Sequence, residues 1–175
     1  HSFFDVTYPG AVYYINRYHG SNNKKAVYIC NPNNPTGECI SENDLVKCLE
    51  MYDFVILDET YYEFHGSTYA HLIDEYNNLM ITRSFSKAWG LAGHRCGYII
   101  SNNDIIRTLC QDRVMSPFSS TSVELILKLI DRYSYVTDSI ARLRAGANYL
   151  YNIYRQYGFD IYDTRGMNFI YAKLP

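Results

Sequence analysis

The sequence has few charged residues and no excess of either sign. Charged residues make up 19% of the 175 residues, and 16 lysines and arginines face 18 aspartates and glutamates, for a formal net charge of −2. The sequence therefore carries no strong positive charge that would attract nucleic acid or an anionic membrane surface. No apolar run approaches the roughly 20 residues that a membrane-spanning helix needs. We expect neither nucleic acid nor a membrane as a partner.

Paired cysteines are also missing. The five cysteines are an odd number and include no Cys-x-x-Cys pair, which favours reduced thiols in a cytoplasmic protein over a disulfide framework. No histidine has a spacing from cysteine or carboxylate that is typical of metal ligands, so we predict no metal site. Hydrophobic residues nevertheless make up 47% of the chain, which is typical of a globular domain.

Four short apolar runs predict buried strands, at residues 26–30, 54–58, 79–82 and 96–100. They are nearly continuous rather than alternating, as expected for parallel strands covered on both faces. Between the first two, a capping box at Ser41–Asp44 predicts a helix to Met51, which completes a βαβ unit. Only 13 residues separate the third run from the fourth, too few for a crossover helix, so we expect the fourth strand to be antiparallel.

Beyond residue 103 the pattern is mostly helical. We predict a helix capped by Asn103 or Asp104 and ending near residue 114, a second with a capping box at Thr121, and a third from about Asp138. Gly158 is placed to end the third helix, and residues 159–162 and 168–172 are predicted strands. We expect two domains, at residues 1–137 and 138–175.

One lysine lies in an unusual setting. Lys87 is flanked by hydroxyls and glycines in the run SFSKAWGLAGHRCGY, residues 84–98, and Arg95 follows eight positions on. A lysine kept reactive by its surroundings can form a Schiff base with an aldehyde. Glycines let the backbone approach a ligand closely, and a guanidinium matches a phosphate. The run therefore favours a site for a phosphorylated aldehyde cofactor.

Two further motifs accompany it: NPNNPTG at residues 31–37 and DETYYEF at residues 58–64. In this order the three motifs resemble those of the pyridoxal-phosphate-dependent aminotransferases of fold type I, most closely the histidinol-phosphate aminotransferase branch. The resemblance implies a three-layer α/β/α large domain with a mostly parallel sheet, incomplete at its N-terminus, followed by the start of a smaller α+β domain. Because proteins of that family are longer, we expect this chain to be a portion of a longer protein.

The same resemblance implies a role for each motif residue around pyridoxal 5'-phosphate. Lys87 would hold the cofactor as a Schiff base and then act as a general base, and Asp58 would face the pyridine nitrogen. Asn34 and Tyr61 would contact the ring hydroxyl, and Ser84 and Arg95 the phosphate. Two weaker matches are also expected: Tyr8, in a Thr-Tyr-Pro segment, as the ring that stacks on the pyridine, and Asn168 near the substrate.

The implied activity is transfer of an amino group between an amino-acid donor and a small carbonyl acceptor, either phosphorylated or simply polar, in a homodimer. Two alternatives remain open at this point. The same scaffold supports decarboxylation of a phosphorylated amino acid, and a non-catalytic domain could keep the scaffold alone. In open α/β sheets, ligands bind outside the carboxyl ends of the strands, where all three motifs are expected.

Overall fold

The apolar runs form the centre of one sheet. The structure is a computed structural model that describes residues 12–15, 24–112, 118–164 and 166–175. Within these residues the sheet has the order β1-β2-β3-β4-β5, listed here with its bounds: β1 Val12–Ile15, β2 Ala26–Cys30, β3 Phe54–Asp58, β4 Leu79–Ser84 and β5 Gly97–Ser101. Strands β2, β3 and β4 are parallel, and β1 and β5 are antiparallel to their neighbours. The predicted α/β class and the antiparallel fourth run are confirmed, whereas β1 was not predicted.

The main core lies on one face of this sheet. Alternate residues of the three parallel strands point to this face and are fully buried: Val27, Ile29, Val55, Leu57, Leu79 and Ile81. They pack against helix α1, Glu42–Met51, and against a short 3₁₀ helix, Ala70–Asp74. The side chain of Ser41 accepts a hydrogen bond from the Asp44 backbone amide, which confirms the predicted capping of α1.

The opposite face is less covered within the described residues. Tyr28, Ile56 and Thr82, which alternate with the core positions, are only half-buried. Burial on both faces was expected for all the parallel strands; buried and half-buried positions alternate in β3, whereas in β4 Met80 on the second face is buried together with Leu79 and Ile81. The half-buried face carries the side chain of Asp58 at the end of β3.

The remaining elements are α2 Tyr62–His65, a 3₁₀ helix Ala92–His94, α3 Asn103–Asp112, α4 Ser120–Ile130, α5 Tyr133–Gln156, β6 Asp160–Tyr162 and β7 Tyr171–Lys173. Strands β6 and β7 pair antiparallel, near the two predicted strand runs. Gly158, at φ 78°, follows the end of α5 as predicted.

Three helix starts differ from the prediction. The Asn102 side chain accepts from the amides of Asp104 and Ile105, so α3 is capped one residue earlier than expected. Helix α4 is capped by Ser119 rather than near Thr121. Helix α5 begins at Tyr133 rather than Asp138 and therefore runs through the predicted domain boundary, which stays a prediction.

A second apolar cluster joins the lysine run to α5. It contains Phe64, Phe85 and Trp89 from the motif regions, Val136 and Ile140 from the first turns of α5, and Met167. Val136 is fully buried here, which explains why α5 starts before the predicted stripe. Among the described residues, no helix combines the length and the apolar character needed to cross a membrane.

Candidate active site

The three motifs meet at the carboxyl edge of the parallel strands. Cys30 pairs with Asp58 and Asp58 with Thr82, so the segments that follow β2, β3 and β4 emerge side by side. The backbone continues this alignment beyond the strands, because the amide of Asn31 donates to the carbonyl of Asp58 at 2.8 Å. The sheet therefore brings together residues that lie far apart in the sequence, as expected for a ligand site in this fold class.

The first motif is a buried turn that presents one exposed amide. Asn31 and Asn33 are buried; the Asn31 side chain accepts from the Ile40 amide at 2.9 Å, and the Asn33 side chain donates to Thr36 at 2.8 Å. Asn34 is exposed, and its Nδ2 donates to Oη of Tyr61 at 2.8 Å. Asn31 and Asn33 thus hold the turn, and Asn34 faces the second motif.

Three side chains surround the carboxylate of Asp58. Its Oδ1 accepts from the amide and the hydroxyl of Thr60, at 2.9 and 2.5 Å, and from the Thr82 hydroxyl at 3.4 Å. Its Oδ2 accepts from the hydroxyl of Tyr28. Because both oxygens are held, the orientation of this carboxylate is set before any ligand binds.

Lys87 lies beside the same tyrosine that contacts Asn34. Its Nζ is 5.4 Å from the centroid of the Tyr61 ring, and its side chain is exposed. Tyr61 is itself buried, with the ring of Phe169 edge-on at 5.4 Å. Asn34, Tyr61 and Lys87 therefore form one contiguous group.

The predicted phosphate contacts lie next to this group. The hydroxyl of Ser84 accepts from the amide of Ser86 at 3.0 Å, and Ser84 pairs with Gly97 in the sheet. Arg95 lies two residues before Gly97, at the same edge. Its guanidinium is exposed and donates to the carbonyl of Ala92 at 3.2 Å. These two residues share an edge with Lys87, and their role toward a phosphate stays a prediction.

Two carboxylates next to the motifs have other partners. Glu59, almost fully buried, accepts from Nε and Nη2 of Arg83 at 3.0 and 2.7 Å and from Thr68, so its carboxylate has a structural role. Glu63 accepts from the Trp89 indole at 2.7 Å, while its Oε2 is buried without a hydrogen-bond partner. Burial raises the pKa of Glu63 above its ordinary value, and the Trp89 bond opposes this shift.

Two of the weaker predictions have different outcomes. Tyr8 lies outside the described residues, so its expected stacking role stays a prediction. Asn168 is exposed and lies in the turn before β7, beside Phe169. Phe169 contacts the site through Tyr61. Both Asn168 and Phe169 line a groove of about 650 Å³ along α5.

Three contacts at the site were not predicted from the sequence: those of Tyr28 and Thr60 with Asp58, and that of Phe169 with Tyr61. A signal for Tyr28 existed, because it lies two residues before Cys30, the register partner of Asp58, and so shares its face of the sheet. Thr60, two residues after Asp58, is placed for a local side-chain contact. Phe169 lies in the segment that the resemblance placed near the substrate, but its packing on Tyr61 was not predicted, since this contact depends on how the segment after β6 packs.

Comparison with known proteins identifies the family to which the chain belongs. A family model described as aminotransferase class I and II matches residues 4–175. The chain belongs to the aminotransferase class I and II family. Histidinol-phosphate aminotransferase of Thermotoga neapolitana is 39% identical over 154 residues, which are 83% of this chain and 43% of that protein. The chain spans 30–43% of the length of the first curated relatives it matches.

Solved structures agree with the fold. Histidinol-phosphate aminotransferase from Sinorhizobium meliloti, in complex with pyridoxal-5'-phosphate, has a TM-score of 0.72 at 25% identity, covering 83% of this chain and 41% of that chain. L-Threonine-O-3-phosphate decarboxylase from Porphyromonas gingivalis has a TM-score of 0.67 at 23% identity, covering 84% and 46%. The second likeness shows the fold alone. The fold type I architecture predicted from the motifs is confirmed.

Proposed function

We propose that the protein to which this chain belongs is a pyridoxal-phosphate-dependent aminotransferase. It moves an amino group between an amino-acid donor and a keto-acid or other small carbonyl acceptor. The observation that supports this most is the group formed by Asn34, Tyr61 and Lys87 at the strand edge that also carries Asp58. Family membership supports the same activity.

Pyridoxal phosphate is the cofactor of this family, and the side chains at the site fit its chemistry. The site offers an amine, a carboxylate with both oxygens held in place, a phenol–amide pair, the half-buried hydroxyl of Ser84 and the exposed guanidinium of Arg95. Lys87 would bind the aldehyde carbon, Asp58 the ring nitrogen, Asn34 and Tyr61 the ring hydroxyl. Ser84 and Arg95 would hold the phosphate. When bound, the cofactor supplies an electron sink for charge that develops at the substrate α-carbon.

The chain's own residues then have distinct tasks. Asp58 would orient the ring and stabilise a positive charge on its nitrogen, since a nearby opposite charge favours both ionised forms. The Lys87 amine would serve as the general base that takes a proton from the substrate α-carbon. Tyr61 holds its place between Asn34 and Lys87 because Phe169 packs on its ring. The last contact couples the segment before β7 to the site.

The substrate class, the location and the oligomeric state of the protein are proposals as well. The curated relatives are named histidinol-phosphate aminotransferases, which supports a phosphorylated substrate for this protein. We also propose a cytoplasmic homodimer, on the resemblance and on the reduced thiols expected from the cysteine pattern. The predicted division at residues 137 and 138 is retained as a proposal for two domains.

The proposed function is tested by asking whether pyridoxal phosphate attaches to Lys87. The full-length protein is purified with pyridoxal phosphate, its visible absorbance is recorded, and borohydride reduction is followed by peptide mass analysis. We expect the cofactor mass on the peptide that carries Lys87, and loss of both signals in Lys87→Ala. Lys128→Ala is the matched control, because Lys128 is exposed and pairs with Glu124 on α4. Retention of the absorbance in Lys87→Ala would refute the assignment, and its absence in the wild type would favour the scaffold alternative.

Product analysis separates transfer from decarboxylation. An amino donor that leaves a keto acid, with no carbon dioxide, supports the aminotransferase. Release of carbon dioxide from a phosphorylated amino acid supports the alternative, which here has only a fold likeness in its favour. Residues 31–95 do not distinguish the two reactions, because both use the same electron sink.

A further inference from the structure

Arg95 has an unusual backbone conformation. Its φ of 52° makes it the one non-glycine residue with positive φ among the described residues, and its ψ is 38°. The left-handed region is unfavourable for a residue with a Cβ, and such residues persist where the surrounding structure holds them. What holds Arg95 in this conformation therefore bears on where its guanidinium lies.

The residues on either side of Arg95 are both anchored. Cys96 is buried, its backbone carbonyl accepts from the Phe85 amide at 3.2 Å, and its thiol lies 3.1 Å from the carbonyl of His94. On the other side, Nδ1 of His94 is 2.9 Å from Oγ of Ser122. This second anchor connects the 3₁₀ turn at residues 92–94 with helix α4, 28 residues later in the chain.

Ser122 is a firm attachment point. It is buried, 4% exposed, in the first turn of α4. Its hydroxyl is 2.8 Å from Oγ of Ser119, and its amide donates to the same Ser119 oxygen at 3.1 Å. Because each hydroxyl can donate or accept, the chain from Ser119 to His94 can be completed with either neutral tautomer of the imidazole.

We propose that His94 is a positioning residue, which through its bond to Ser122 keeps the Arg95 turn in the conformation that presents the guanidinium to the cofactor phosphate. This inference rests on the proposed function, since it takes Arg95 as a phosphate contact. A strained residue between two anchored neighbours has little conformational freedom. Removing one anchor lets the turn relax away from the left-handed conformation. An apolar side chain at position 94 would fill the same space but would make no hydrogen bond to Ser122 on α4.

The test compares two ligands that differ only in the phosphate. Dissociation constants for pyridoxal phosphate and for pyridoxal are measured on the full-length apoprotein by the change in absorbance. For His94→Leu we expect pyridoxal phosphate to bind about tenfold more weakly, the scale of one lost hydrogen bond. Pyridoxal should bind as it does to the wild type, because it makes no phosphate contact. His94→Asn, whose amide atoms lie near the position of Nδ1, should restore most of the affinity.

Two more variants test the route through Arg95. Ser122→Ala removes the same bond from the α4 side and should reproduce the His94→Leu result, so the inference stays testable if His94→Leu fails to fold. Arg95→Ala should weaken phosphate-dependent binding at least as much, and adding His94→Leu to it should have no further effect, because the two act as one unit.

Three outcomes would overturn the inference. Equal weakening of both ligands by His94→Leu would show a general structural role, an unchanged affinity for both would show no role, and additive effects with Arg95→Ala would show a route that bypasses Arg95. Failure of the wild type to bind pyridoxal phosphate through Lys87 would instead refute the proposed function.

Discussion

Gly37→Ala tests how the first motif is held against the C-terminal part of the chain. Gly37 has φ 73°, and a Cβ at this position would lie 2.4 Å from the carbonyl oxygen of Thr164 and 2.6 Å from its carbonyl carbon. The obstacle is backbone, so no side-chain rotation relieves it. Thr164 is fully buried and held in turn by Tyr151, 2.5 Å away, and by the carbonyl of Phe169 at 3.0 Å.

Two costs add in this variant. An alanine in the left-handed region costs about 1–2 kcal/mol. Forcing an extra carbon into a close-packed contact costs about 1–3 kcal/mol more, because the two segments must separate. We therefore expect Gly37→Ala to lower the free energy of unfolding by about 2–5 kcal/mol.

Gly66→Ala is the matched control. Gly66 also has positive φ, 87°, at the end of α2, but a Cβ there would meet no atom within 4 Å. Gly66→Ala should therefore lower the free energy of unfolding only by the backbone cost, about 1–2 kcal/mol. The assay is urea unfolding of both variants and the wild type, with the affinity for pyridoxal phosphate as a second readout, since the turn of Gly37 carries Asn34.

If Gly37→Ala were no more destabilising than Gly66→Ala, the close approach of Thr164 to the first motif would be wrong. The coupling of the C-terminal segment to the site would then have to be abandoned. A selective loss of cofactor affinity in Gly37→Ala alone would support it.

Two further predictions concern the buried carboxylates. Because burial raises the pKa of Glu63 above its ordinary 4.5, the folded state favours the protonated acid, and the resulting stability is lost as pH rises from about 4.5 through the raised value. Glu63→Gln should therefore gain stability relative to the wild type as pH rises, in urea unfolding at a series of pH values; parallel pH profiles would contradict this. Glu59→Ala should cost about 3–5 kcal/mol, because it leaves Arg83 buried without its partner. Glu124→Ala, which breaks the exposed pair with Lys128, should cost less than about 1 kcal/mol, and equal losses in the same urea assay would refute the distinction.

The success of the strand predictions has a local cause. Strands β2, β3 and β4 are continuous apolar runs, and each ends at a polar motif, so their identity depends on the residues within each run. Strand β1, Val12–Ile15, was not predicted, although its sequence VYYI is apolar and aromatic throughout, like the AVYIC of β2; its antiparallel pairing with β2 identifies it as a strand of the same sheet. The antiparallel direction of β5 followed from the length of its connection alone.

The helix starts show where local signals are degenerate. The run Ser119-Ser120-Thr121-Ser122 offers four residues that can each cap a helix, and local propensity does not choose among them. Ser119 caps α4, and Ser122 is free to lie in the first turn and contact His94. Similarly, α5 begins at Tyr133, and its early residue Val136 is buried against the cluster around Phe64 and Trp89, a contact between distant parts of the chain.

The sequence by itself determined which residue types stand at the ends of the parallel strands, because motif spacing and hydrophobic runs are local properties. Lys87, Asp58, Asn34, Tyr61, Ser84 and Arg95 could all be chosen from it. Only the tertiary structure decided what supports them: the contact of Tyr28 with Asp58, of Phe169 with Tyr61, of Thr164 with Gly37 and of Ser122 with His94. The physical reason is that each of these contacts joins segments far apart in the chain. Their partners are set by sheet register and helix packing, and no local pattern records these.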